Sequence, residues 1–176
     1  AGLPHGGSTR PYGFEADRIA HNPAEADLIR QLRDRHLAGQ SFRSLALWMQ
    51  EQGAQTVTGS DWTSQTVKGI LTSPRTAGLK EHRGDIVGKA VWDPIITPAE
   101  RDRILAVGAG RAIANRRSPR NYLLSGMLRC SQCGNTLFAA ARQTTRRYVC
   151  SSGPDHGGCG RITVVAEPVE KLIANA

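Results

Sequence analysis

Apolar positions along the chain fall first into stretches with helical spacing and later into short runs of strand character. In HNPAEADLIRQLRDRHLAG (21–39), Leu28, Ile29, Leu32 and His36 recur on one side of a 3.6-residue period and mark an inward stripe. Asn22 suits the N-cap, Pro23 the first helical position, Glu25 the capping-box position and Gly39 the C-terminal stop. A second helix is expected from Ser41 to near Gly53, with Phe42, Leu45, Ala46 and Met49 at core spacing. A third begins at Thr63 in WTSQTVKGILTSP (62–74), turns Val67, Ile70 and Leu71 inward, and stops at Ser73-Pro74.

Two short helices of this kind make a helix-turn-helix candidate, a signal that any small helical bundle shares. The outward positions of the third helix, Ser64, Gln65 and Lys68, are of types that read bases or phosphates. AGLKEH (77–82) and DIVGKAV (85–91) then read as strands turning at Arg83-Gly84. TPAE (97–100) opens another helix, with Thr97 as cap, Pro98 in the first position and Glu100 at the box position. That helix fades into GAGRAIANRRSPRN (108–121), a Gly-, Arg- and Pro-containing linker. Beyond it TLFAAAR (136–142) and RRYVC (146–150) read as a hairpin turning at Gln143-Thr144-Thr145. Trp48, Trp62 and Trp92 are expected in or at the edge of the core, and no internal repeat is visible. The pattern predicts an α+β chain: a small, mainly helical domain with a short β-hairpin over 1–107, a basic linker over 108–121, and a cysteine-bearing β-ribbon over 122–176.

Composition adds little until charge is located. The 176 residues are 39% hydrophobic, enough for one or two small cores, and no apolar run has the length of a membrane span. The start, AGLPHGGSTRPYGF, lacks the basic and apolar regions of a signal peptide and resembles a cut linker, so a soluble, cytoplasmic fragment of a longer polypeptide is expected. The net charge is +8, and all 15 acidic residues lie outside the stretch from Arg103 to Pro154. That stretch holds nine arginines and no lysine, while the rest carries 14 basic residues against those 15 acids. One concentrated basic block is a surface for a polyanion, the alternative being a solvated basic face.

Inside the block lie Cys130 and Cys133, followed by Cys150 and Cys159, in the order C-x2-C, 16 residues, C-x8-C. The first pair has the spacing of a knuckle that turns around one metal ion, and Gly134 frees the backbone for that turn. The hairpin returns Cys150 towards the knuckle, and the loop SSGPDHGG carries the chain on to Cys159. Four thiolates suit one structural Zn²⁺, with no coordination position left for water. A segment of about 45 residues buries too little apolar surface to fold alone, and zinc contributes on the order of 10 kcal/mol to such modules. Two disulfides or a redox pair are the alternatives; the first needs an oxidising compartment and the second a βαβ setting. His156 is an alternative ligand to Cys150.

Together these pieces resemble the C-terminal part of the large serine recombinases, the phage integrases and related transposon enzymes. RPYGF (10–14) is similar to the opening of that family's recombinase domain. Residues 25–74 follow its helix, Gly-x-Ser, helix, Gly, Trp-Thr/Ser and Ile-Leu-x-x-Pro pattern, and YLLSGMLRCSQCGNTL (122–137) with Tyr148-Val149-Cys150 and Cys159 is similar to its zinc ribbon. One departure is Thr76 in SPRTAG, where the family usually places an aromatic residue. The resemblance implies that both domains bind one half of a double-stranded attachment site, with ribbon and linker in the major groove. It implies a catalytic domain before residue 1, so that no serine here acts as nucleophile and this chain is not itself an enzyme. A coiled-coil helix for contacts between subunits would begin near EPVEKLIANA. The expected DNA contacts are Gln65, Lys68, Arg111, Arg116, Arg117, Arg120, Arg142, Arg146 and Arg147. The competing readings are a zinc-ribbon adaptor that binds a protein and a metalloenzyme; the second lacks an open ligand position and an H-E-x-x-H motif.

Overall fold

The computed structural model describes residues 9–112, 122–142 and 145–175, the side chains of 108–112 excepted. The chain divides into two compact units, residues 1–116 and 117–176, each with a hydrophobic core of its own.

In the first unit, helices α1 (Pro23–Leu37), α2 (Phe42–Glu51), α3 (Ser64–Thr72) and α4 (Pro98–Ala112) surround Ile29, Leu32, Leu45, Met49, Val67, Leu71 and Ile104. Three starts are capped by the residues expected: Asn22 Oδ1 accepts the Glu25 amide, Ser41 Oγ the Ser44 amide and Thr63 Oγ1 the Thr66 amide, each at 3.1 Å. The α1 stripe is shifted by part of a turn, so Ala26 is buried and Leu28 only half-buried. Phe42 is likewise half-buried and stacks on His36, with ring centroids 4.2 Å apart.

The capping box expected at Glu25 does not close, because a stronger partner takes its carboxylate. Arg10 grips Glu25 with two hydrogen bonds of 2.6 Å, and the Gly13 amide adds a third of 2.8 Å. The Asn22 amide donates instead to Gly13 O at 3.1 Å. Gly13 has φ +91°, and a Cβ there would stand 2.5 Å from Ile29 Cδ1, so this position demands glycine. Its neighbours fill the core: Tyr12 meets Trp62 edge to face at 5.0 Å, and Phe14 is fully buried beside Trp92. The box at α4 does close, with the Thr97 amide 2.7 Å from Glu100 Oε2 and the Glu100 amide 3.2 Å from Thr97 Oγ1.

After α3 a single 3₁₀ turn, Arg75–Ala77, leads into the hairpin β1 (Leu79–His82) and β2 (Asp85–Lys89). Arg83 and Gly84 both have positive φ, 54° and 94°, as a two-residue primed turn requires. Every residue of β2 is exposed. Thr76, the departure from the family pattern, is buried, and its hydroxyl reaches Ile70 O at 3.0 Å and Ser73 O at 2.8 Å. Its single hydrogen is shared between these two carbonyls at the end of α3, where Ile70 O also accepts the Ser73 amide at 3.4 Å.

The second unit is a three-stranded antiparallel sheet, β3 (Phe138–Arg142), β4 (Thr145–Val149) and β5 (Thr163–Val165) in that order, with helix α5 (Ala166–Ala174) packed on β4 and β5. Thr145 pairs with Arg142 and belongs to the strand, not the turn; Gln143 and Thr144 lie outside the described residues. β5 is too short to leave a pattern of its own. The terminal segment likened to a coiled-coil start buries Ala166 and Glu170 against this sheet, while Leu172 and Ile173 stay exposed. Among the described residues no helix is long and apolar enough to cross a membrane.

Candidate metal centre and nucleic-acid face

Backbone hydrogen bonds assemble the cysteine cluster from two directions. The Leu137 amide bonds Leu128 O at 2.9 Å and the Cys130 amide bonds Asn135 O at 2.7 Å, which makes a tight finger with CSQCG at its tip. Gly134, at φ +72°, takes the left-handed conformation that the knuckle needs. Cys150 follows directly on β4, its amide bonded to Ile162 O at 2.8 Å, and the loop beyond folds back on Ser151 and Gly153. Asn135 Nδ2 clips that loop to the finger through His156 O at 2.7 Å.

The four Sγ atoms lie within 4.8 Å of one another. The separations are 3.7 Å for Cys130–Cys159, 3.6 Å for Cys133–Cys150 and 3.7 Å for Cys150–Cys159. A tetrahedron of sulfurs about 2.3 Å from a central Zn²⁺ has edges of about 3.8 Å, so the donor set fits zinc and leaves no vacancy for water. Separations of 3.6 and 3.7 Å, well beyond the about 2.05 Å of a disulfide, and the convergence of all four sulfurs on one point favour a metal site over two bridges. His156 is not part of the cluster: its ring lies against Phe138, centroids 4.5 Å apart. Backbone amides of Asn135 and Cys159 lower the Cys133 thiol to about 6. Cys150, although the Gly160 amide lowers it, is pushed up to about 11 by burial and by its sulfur neighbours. A divalent cation is what allows all four to be thiolates together.

Strand alternation sorts the arginines of the ribbon. Cross-strand partners Ala140 and Arg147, and Arg142 and Thr145, share one face with Phe138 and Val149; Arg146, Tyr148 and Val164 share the other. On the packed face Arg146 Nη2 meets Glu170 Oε2 at 2.7 Å, so Arg146 and Arg147 do not form one contact pair. On the open face Arg142 is exposed and Arg147 partly so. In the first unit Gln65 and Lys68 are both exposed on α3, and Ser64 is half-buried. Arg111 lies on α4 with its side chain outside the described residues, and Arg116, Arg117 and Arg120 lie outside them altogether.

Sequence reasoning missed Glu170 and Tyr148. Tyr148 is fully buried, and its hydroxyl donates to Glu170 Oε1 at 2.7 Å while accepting the Leu124 amide at 2.8 Å. The Tyr148 bond foremost holds the Glu170 carboxyl below the usual carboxylate range, with the Arg146 guanidinium and the Leu123 amide adding to it. The available signal was position: Glu170 stands four residues after Ala166 on the inward stripe of α5.

Comparison with known proteins sets these features in context. Residues 23–107 match the family described as Recombinase, and residues 123–176 match the recombinase zinc β-ribbon domain. A protein of Bacillus subtilis (strain 168), provisionally named a DNA recombinase, is 30% identical over 66% of this chain, which spans only 30% of that relative's length. Two solved structures share the fold. One concerns the sequence requirements of the Listeria innocua prophage attP site; it has a TM-score of 0.54 and 22% identity, covering 99% of this chain and 80% of its own. The other is a large serine recombinase–DNA complex, with a TM-score of 0.55 and 21% identity, covering 99% of this chain and 59% of its own.

Proposed function

From the premise that the chain belongs to the recombinases, whose Recombinase and zinc β-ribbon domains it carries, we propose that it is part of a large serine recombinase, binds one half of a double-stranded attachment site and is non-catalytic by itself. In this reading 1–107 is the recombinase domain, 108–121 the basic linker and 122–176 the ribbon. Its role is to choose where the chemistry of a catalytic domain takes place.

The observation that carries the reading is the segregation of charge. No acidic residue occurs between Arg103 and Pro154, and the ribbon's open face carries Arg142 and Arg147 while Glu170 sits behind the sheet. Such a face neutralises phosphates without an acid to repel them. Arg142, Arg147 and Lys68 are assigned to phosphates and Gln65 to base edges, with Arg111 adding a contact from the end of α4, which runs into the stretch expected as linker, and Arg116, Arg117 and Arg120 from beyond it. Cys130, Cys133, Cys150 and Cys159 would hold the zinc, which supplies rigidity to the finger and no chemistry.

Selection from random duplexes by the zinc-loaded chain, followed by salt titration on the selected half-site, tests this. Sequence-selective binding with a steep salt dependence is expected, and Arg147→Ala should lower the slope by about one. The adaptor reading draws on the exposed apolar residues Met127 and Leu172; weak binding without sequence preference would favour it.

A further inference from the structure

The open face of the ribbon is ordered along its length. Phe138 pairs with Val149, Ala140 with Arg147 and Arg142 with Thr145, so an apolar pair beside the cysteine cluster gives way to arginines towards the hairpin turn. Leu137 is buried, and Thr136 on its far side leaves the chain on the same face as Phe138. Thr136 Oγ1 accepts a hydrogen bond of 2.8 Å from Arg129 Nη1. An aromatic ring therefore stands in a row between Arg129 and Arg147. Among the described residues no carboxylate pairs with either of these arginines, nor with Arg142.

Phe138 is 36% exposed, against 4% for Leu137 beside it. Its ring lies against that of His156, with centroids 4.5 Å apart and an interplanar angle of 50°. Asn135 Nδ2 ties the His156 carbonyl to the finger at 2.7 Å, so the metal-bearing loop sets where the Phe138 ring points. A two-stranded β-ribbon is of a size that the major groove of DNA admits. Arginines on phosphates fix its register there but carry no sequence information. A phenyl ring offers a base edge neither donor nor acceptor, so it distinguishes bases only by an apolar group. The major-groove edges of the four bases carry one such group, the C5 methyl of thymine. Excluding water between ring and methyl favours thymine over a base with hydrogen at that position.

We propose that Phe138 is a specificity-determining residue of the ribbon: its ring packs on the C5 methyl of a thymine in the half-site, while Arg129 and Arg147 hold phosphates on either side. The inference rests on the half-site reading above and adds to it the identity of one base.

The test uses the zinc-loaded chain of residues 1–176 and the selected half-site, with each thymine replaced in turn by uracil, which keeps the base pairing and loses the methyl. At one thymine the wild type should bind about fourfold more weakly after replacement, the worth of one buried methyl group. Phe138→Ala should bind the thymine and uracil duplexes at that position within about 1.5-fold of each other. Its salt slope should equal that of the wild type, because no phosphate contact is lost. Phe138→Gln, which keeps bulk in the strand but presents an amide, should lose the discrimination as well. Uracil tolerated at every thymine, a selected half-site without a fixed thymine, or a Phe138 variant that still discriminates overturns the proposal. Zinc lost from both variants does the same, since the residue would then support the metal centre. A wild type that fails to bind any selected duplex defeats the half-site reading itself, and that result precedes any substitution.

Discussion

At the scale of single residues, position within an element decides what a side chain does. Arg146 and Arg147 are consecutive and chemically identical, yet one faces Glu170 and the other the open face of the sheet. Arg146→Ala should lower the thermal transition of the ribbon with the salt slope of DNA binding unchanged, and Arg147→Ala should do the reverse; calorimetry and salt titration on the same preparations check both. Thr76 makes the same point inside the first unit. Its one hydroxyl hydrogen is shared between two carbonyls where the chain is buried, so Thr76→Val should destabilise that unit by about 1–3 kcal/mol in denaturant unfolding. The sequence marks Thr76 only as a departure, because hydrogen bonds to carbonyls of a preceding helix leave no periodic trace.

Whole elements obey their start signals, but competition decides which partner a carboxylate serves. Thr97 and Glu100 close a box because nothing nearer claims the Glu100 oxygen that faces the cap; Glu25 is drawn away by Arg10, 15 residues earlier. Burial by itself would raise both carboxyls, but the Arg10 guanidinium and Gly13 amide at Glu25, and Thr97 with Arg33 at Glu100, hold both below their ordinary value of 4.5. A depressed folded value gives stability that is complete above the unfolded value and is lost as pH falls through the folded one. Denaturant midpoints of the helical unit should therefore fall as pH drops from about 5 towards 3. The Glu25→Gln, Glu100→Gln double variant should start lower at neutral pH and decline less. A steeper decline in that variant would refute the assignment. Four helices, their N-caps and both hairpins were legible from spacing and turn residues. β5 was not, since Thr163–Val165 is strand only by pairing with β4.

For the molecule as a whole, two cores mean two unfolding events. The first unit is held by helices and aromatic rings, the second by a few apolar residues around four sulfurs. A strong chelator should abolish the ribbon transition in calorimetry and leave that of the helical unit within about 1 °C. Loss of both together would show that the units fold as one. The chain order by itself determined the α+β class, the metal donors and the acid-free basic block, because helix period, cysteine spacing and charge are properties of local sequence. Only the tertiary structure decided that Arg10 would take Glu25, that Arg146 would turn inward and that Glu170 would gather Leu123, Tyr148 and Arg146. Those outcomes depend on which groups meet across 15 to 47 residues of chain, and burial, not spacing, makes such meetings hold.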